Sequence, residues 1–166
     1  MLIVFSGLPG TGKTTLAREV ARQAGAVYLR IDVIEQAIRA AGVLAADVGA
    51  SGYAVANALA LSNLRQGLRV VADCVNPVQE SRAAWRATAA TAGVALVDIQ
   101  IVCSDTREHQ RRVESRESDI PGLIAPSWQS VLVHEYEPWN DAPLTVDTAQ
   151  IDAAQAVEKL LKHLRR

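Results

Sequence analysis

Lys13 and Thr14 close the run Gly7-Leu8-Pro9-Gly10-Thr11-Gly12-Lys13-Thr14, which satisfies G-x-x-x-x-G-K-[ST]. That spacing belongs to a loop that wraps phosphate. Gly7, Gly10 and Gly12 let the backbone curl tightly, with N–H groups turned inward as a nest for oxyanions. A helix starting near Lys13 adds the positive end of its dipole. Lys13 reaches β- and γ-phosphates as a point charge, and the Thr14 hydroxyl is placed to ligate Mg²⁺. Gly7, Pro9, Gly10, Thr11, Gly12, Lys13, Thr14 and Thr15 are therefore the candidate nucleotide-binding residues. The chemistry they imply is the binding of ATP with Mg²⁺.

Two carboxylates stand where they would complete such a site. Asp32 follows the apolar run Ala26–Ile31 and precedes a helical pattern. There it is placed to take a proton from a hydroxyl that attacks the γ-phosphate. It equally suits a helix cap, because Asp32-x-x-Glu35 has the form of a capping box. Asp73 ends Leu68-Arg69-Val70-Val71-Ala72 and is placed to hold Mg²⁺ together with Thr14. The alternative is a turn acid paired with Asn76. Cys74 follows Asp73 where a mechanical ATPase commonly carries a water-activating Glu, which argues against a hydrolysis motor.

The segment Asp105–Glu117 holds four arginines against four acids, so net charge is not its signal. Arg112 and Arg116 are four apart and are expected on one helix face. With the Gly/Pro segment 117–126 behind them, they suit a lid closing over phosphates, where they would stabilise transferring charge. A solvated, salt-bridged helix is the competing reading. His109 is expected at the surface. Asp119-Ile120-Pro121-Gly122 fits the D-x-x-G of GTPase switches, but no strand precedes it and no N-K-x-D occurs. Trp85, Trp128 and Trp139 are not interleaved with basic residues, which points to core or pocket walls. His134 and Tyr136–Trp139 suit either an acceptor pocket or the core. Asp147-Thr148 falls where the adenine-side loop of such sheets lies.

The elements that must position these groups alternate. Strands are expected at 2–6, 26–31, 68–73, 94–102 and 144–147. Helices are expected over 13–24, 33–41, 51–66, to about 92 from a Pro77 start, from Ser104 or Asp105 to about Arg116, over 127–136 and over 150–164. Gly25, Gly42, Gly67 and Gly93 stop helices. Continuous apolar strands separated by helices imply a three-layer α/β domain built on a parallel sheet. Ligands of such sheets bind beyond the carboxyl ends of the strands, where Lys13, Asp32 and Asp73 fall.

Composition limits the field further. The 166 residues suit one domain with a lid at about 104–137. A net charge of −1 supplies no global field toward nucleic acid or a membrane surface. Apolar runs are too short for a membrane helix, and the chain opens on a strand rather than a signal core. Cys74 and Cys103 are isolated, as expected for reduced thiols. A cytoplasmic protein is expected.

The Gly7–Thr15 loop, the Asp32 helix start, the Val70-Val71-Ala72-Asp73-x-x-Asn76 strand end and the Arg-rich segment together resemble small P-loop kinases. The nearest group is the zeta-toxin, polynucleotide kinase and chloramphenicol phosphotransferase-like set. The resemblance implies a P-loop NTPase fold of nucleotide-kinase type: a five-stranded parallel sheet in the order 2-3-1-4-5 with a helical lid. It implies Asp32 as general base, Lys13 and Thr14 on phosphate and Mg²⁺, and Arg112 and Arg116 as lid arginines. Polynucleotide kinases carry Asp-x-x-Arg here, whereas this chain has Glu35 three residues after Asp32 and its next arginine at Arg39. The expectation is thus an ATP-dependent phosphotransferase acting on a small hydroxyl acceptor. The alternatives are a polynucleotide 5′-hydroxyl kinase, a non-catalytic ATP-binding module and a simple ATPase.

Overall fold

The computed structural model describes residues 1–42, 44, 47–139 and 144–165. Five parallel strands form one sheet in the order β2-β3-β1-β4-β5. They are β1 Leu2–Ser6, β2 Val27–Arg30, β3 Val70–Asp73, β4 Leu96–Val102 and β5 Leu144–Asp147. The P-loop kinase order is as expected. β1 lies at the centre and all five of its residues are buried. Strands closed in on both faces by helices need continuous apolar sequence, and Leu-Ile-Val-Phe supplies it.

The pleat divides β1 between two cores. Ile3 and Phe5 face Leu16 and Val20 of α1 (Lys13–Ala24) and Leu160 of α7 (Ala153–Leu164). Leu2 and Val4 face Ala56 and Ala60 of α3 (Ser51–Arg65) and Trp85 of α4 (Gln79–Ala92). Small Ala56 and Ala60 leave room for the bulky Trp85. That tryptophan is fully buried, as a core wall.

Register brings the functional ends level. Phe5 pairs with Asp73, Arg30 pairs with Asp73, and Ser6 pairs with Gln100. The carboxyl ends of β1, β2 and β3 therefore finish at one height, so the groups after them share one rim.

Among the boundaries that differ from expectation, four change what a residue does. β2 ends at Arg30, and α2 (Ile31–Ala40) begins at once with Arg30 as its N-cap. Asp32 thus lies inside the first helical turn, and the capping box with Glu35, the alternative reading, does not form. Pro77 is not a first helical residue, because α4 starts at Gln79 with Val78 as N-cap. α5 (Thr106–Glu114) is capped by Asp105, which accepts from the Arg107 and Glu108 amides, and it stops at Glu114. Arg116 is therefore off the helix and shares no helical face with Arg112. α6 covers only Trp128–Leu132, capped by Ser127. It ends four residues earlier than expected, and farther along Arg82 donates to the carbonyls of Glu137 and Pro138.

α7 opens on a capping box between Asp152 and Gln155. Val43, Ala45 and Ala46 of the expected 43–50 loop lie outside the described residues. Among the described residues no helix is long and apolar enough to cross a membrane.

Candidate active site

The loop between β1 and α1 is held from both sides. The Gly7 amide donates to the Val75 carbonyl at 3.1 Å, and the Thr11 hydroxyl donates to the Leu8 carbonyl at 2.9 Å. Thr148, after β5, donates its hydroxyl to the Thr11 carbonyl at 2.8 Å. Gly10 is left-handed at φ 83°, and a Cβ there would run into the side chain of Val113. Gly7 is crowded in the same way against the Ile101 carbonyl. The glycines thus serve close approach as well as curvature. Gly12 caps α1 with no side-chain bond, which leaves the first helical amides free for an anion.

α5 is the second support. His109 is buried, its Nε2 lies 2.7 Å from the Pro9 carbonyl, and its ring meets Trp128 edge-on at 5.1 Å. The expectation of a surface histidine is corrected here. The signal for it was present: His109 and Val113 are four apart and form the buried stripe of an otherwise charged helix.

Beneath the loop lies a buried charge centre. Lys13 Nζ sits 3.1 Å from Asp73 Oδ1, and the Tyr28 hydroxyl donates to Asp73 Oδ2 at 2.7 Å. Burial opposes ionisation of Asp73, but the Lys13 ammonium and the Tyr28 and Thr14 hydroxyls outweigh it and hold the carboxyl below its usual range. Burial, followed by the Asp73 charge, pushes the Tyr28 phenol up. Asp73 does not pair with Asn76. The Asn76 side chain donates to the Ser6 hydroxyl at 2.9 Å and its amide donates to the Tyr53 hydroxyl at 2.8 Å.

Two adjoining clefts open above this centre. One, of about 300 Å³, is lined by Gly10, Gly12, Lys13, Thr14 and Thr15 from the loop side and by Arg112 and Arg116 opposite. The other, of about 90 Å³, brings Asp32 together with Pro9, Lys13 and Arg116 under Leu123 and Ile124. Lys13 and Arg116 border both. Asp32 is one-third exposed there, with Arg30 Nη2 at 3.4 Å.

Arg112 is fixed away from the acceptor side. Its guanidinium donates to Glu108 at 2.7 Å, to the Thr148 hydroxyl at 2.8 Å and to the Thr148 carbonyl at 3.2 Å. Arg111, then Arg112, hold the Glu108 carboxyl down to about 2. A recess of about 270 Å³ beyond Arg112 is lined by Gly12, Thr15, Thr148 and Ile151. Gly7 and Thr11 border a different recess behind the loop, with Tyr136 and His109. His134 is in neither cleft, and Trp139 stacks on the buried Arg82 guanidinium at 4.2 Å. A wider groove of about 950 Å³ between α1 and α7 shares Thr15 and Arg18 but has neither Lys13 nor Asp32 on its walls.

Arg30 and Asp119 are residues that sequence reasoning did not place in the site. Arg30 is the one charged residue of β2, and such a residue at a strand's carboxyl end is itself a signal. Asp119 matched only a switch-like pattern, whereas the structure puts it between Arg18 and Arg30. The Gly/Pro segment 117–126 is tied to the body through it.

Among the described residues no three His, Cys, Asp or Glu side chains cluster as a metal cage. A loop-bound Mg²⁺ needs no such cage, since phosphate oxygens and water supply most of its ligands. The Thr14 hydroxyl on the wall of the phosphate cleft and the Asp73 carboxylate beside Lys13 fit that donor set.

Known proteins share the fold. The family described as the AAA domain matches residues 2–122. No curated protein matches the chain. A candidate kinase from Chloroflexus aurantiacus is similar over 99% of this chain and 95% of its own, at 24% identity and a TM-score of 0.75. A gluconokinase from Sinorhizobium meliloti covers 99% and 91%, at 21% identity and 0.66. The Mycobacterium tuberculosis APS kinase, solved with AMPPNP and APS, covers 99% and 97%, at 17% identity and 0.65. These likenesses concern fold. The chain belongs to the AAA-domain family.

Proposed function

We propose that this AAA-domain protein is an ATP-dependent phosphotransferase that moves the γ-phosphate to a hydroxyl of a small-molecule acceptor. One observation carries the reading: Asp32 and Lys13 face a common cleft, so a carboxylate stands on the acceptor side of the phosphate loop. The gluconokinase and APS kinase among the similar folds support it, since those proteins are named as kinases of small molecules.

The triphosphate lies in the cleft of Gly10, Gly12, Lys13, Thr14 and Thr15, its oxygens on the loop amides. Its base lies toward the recess walled by Arg112, Thr148 and Ile151. Lys13 swings from Asp73 to the β- and γ-phosphates. Thr14 and Asp73 would hold Mg²⁺, which supplies charge neutralisation across the β- and γ-phosphates. Asp32 accepts the acceptor's hydroxyl proton as its oxygen bonds to the γ-phosphorus. The bond to the β,γ-bridging oxygen breaks, and ADP leaves. Arg116, bordering both clefts, stabilises charge on the phosphoryl group in transit, and Arg112 anchors the nucleotide end. Segment 104–137 serves as the lid of a single domain, with α5 as its fixed base and the chain after Ser115 as its closing part. Acceptor positioning and charge stabilisation then supply most of the catalysis. We assign the protein to the cytoplasm, where Cys74 and Cys103 stay reduced thiols.

The test is a screen of hydroxyl compounds for acceptor-dependent ADP release by the purified protein. ADP release that no acceptor raises, with ATP bound, would turn the reading toward a simple ATPase.

A further inference from the structure

Arg30 is a buried guanidinium whose closest anion is a surface carboxylate. Its side chain is 2% exposed, yet Nη1 donates at 2.8 Å to Asp119, whose side chain is 49% exposed on the segment after α5. The internal acids are less available. Asp73 is committed to Lys13 and Tyr28 and stands 4.0 Å from Arg30, and Asp32 only grazes it at 3.4 Å. Arg30 Nε has no hydrogen-bond partner. The other oxygen of Asp119 receives Arg18 from α1 at 2.6 Å. Two guanidinium groups from two elements thus converge on one carboxylate at the edge of the phosphate cleft.

A buried guanidinium requires an oxyanion, but it does not require this one. An exposed pair such as Arg18–Asp119 is worth only about 0–1 kcal/mol. Guanidinium forks take planar carboxylates and phosphates alike. We propose that Arg30 and Arg18 form an anion subsite, that Asp119 fills it as an internal stand-in, and that the acceptor is itself an anion whose acidic group displaces Asp119. The substrate class is then a hydroxylated carboxylate or phosphate ester. Arg30 lies beside Asp32, so an acidic group on Arg30 brings the acceptor's hydroxyl end to the proposed base. This rests on the phosphotransferase reading, and Asp119 acts as a competitor rather than as a member of the machinery.

The test titrates acetate and methyl phosphate, the carboxylate and phosphate-ester probes, into wild type, Asp119→Ala and the double variant Arg18→Gln/Asp119→Ala. Saturating MgAMPPNP occupies the loop, and thermal melts confirm folding. At least one probe should bind Asp119→Ala about tenfold or more tightly than wild type, since the tethered competitor is gone, and the double variant should lose that gain. The probe that gains identifies the acidic group. Equal binding of both probes to wild type and Asp119→Ala, or a gain that survives Arg18→Gln, overturns the subsite. AMPPNP affinity is measured separately, and the variant differences are also read without it. Failure to bind nucleotide counts against the phosphotransferase reading, while the probe differences still decide the subsite.

Discussion

The imidazole Nε2 of His109 lies 2.7 Å from the carbonyl oxygen of Pro9, which joins α5 to the middle of the phosphate loop. The contact is reinforced by Gly10, which has room for no side chain against Val113. α5 is therefore a buttress of the loop. His109→Ala removes the donor and opens a gap beside Trp128. The nucleotide KM should rise by about tenfold with a smaller change in kcat, because loop order is needed first for binding. His109→Gln, which keeps a donor, should restore part of the affinity. Steady-state kinetics across both variants checks this.

Lys13 is the charge that meets the phosphates. Lys13→Ala should lower AMPPNP affinity by about a hundredfold or more, read by calorimetry. Unchanged affinity would refute the loop assignment. The same change leaves Asp73 buried without its ammonium, so the melting temperature should fall as well.

Asp73 gives the protein an acid limb of stability. Its carboxyl is held below the ordinary range, so its contribution is fully present above the unfolded value of about 3.9 and is lost as pH falls through the folded one. Unfolding free energy, measured in urea between pH 6 and roughly pH 3, should fall on the acid side of about 4. Asp73→Asn should be less stable at neutral pH and should flatten that acid limb.

Arg82 holds the chain beyond α6. It is buried, donates to the carbonyls of Asn76, Pro77, Glu137 and Pro138, and lies under Trp139. Arg82→Met should cost about 3 kcal/mol or more in urea denaturation, since the buried Asn76 carbonyl and three part-buried ones lose their donor. Fluorescence of Trp139 should report its release.

The sequence carried the fold because its signals were local and consistent. Leu2–Ser6 is apolar throughout, the glycine spacing of the loop admits few structures, and helices stop at Gly25 and Gly93 as expected. Site residues after strands were visible for the same reason, since a parallel sheet collects them on one rim. What remained hidden depended on distant partners. Asp32-x-x-Glu35 looked like a cap because nothing local shows that Arg30, turned toward Asp119 and Asp73, already starts the helix. The hold of Arg82 on the Glu137 and Pro138 carbonyls, across some 55 residues, leaves no local mark. His109 was legible as half of a buried stripe with Val113, whereas its partner Pro9, 100 residues away, was not.

The most direct measurement is the acceptor-dependent rate of Asp32→Asn, taken beside its MgATP affinity and melting temperature. Asp32 is no helix cap, so the fold and nucleotide binding should stay near wild type while kcat falls by about 10² or more. A kcat equal to wild type, or a fall explained by lost nucleotide affinity or lost fold, would contradict the assignment of Asp32 as the group that takes the acceptor's proton.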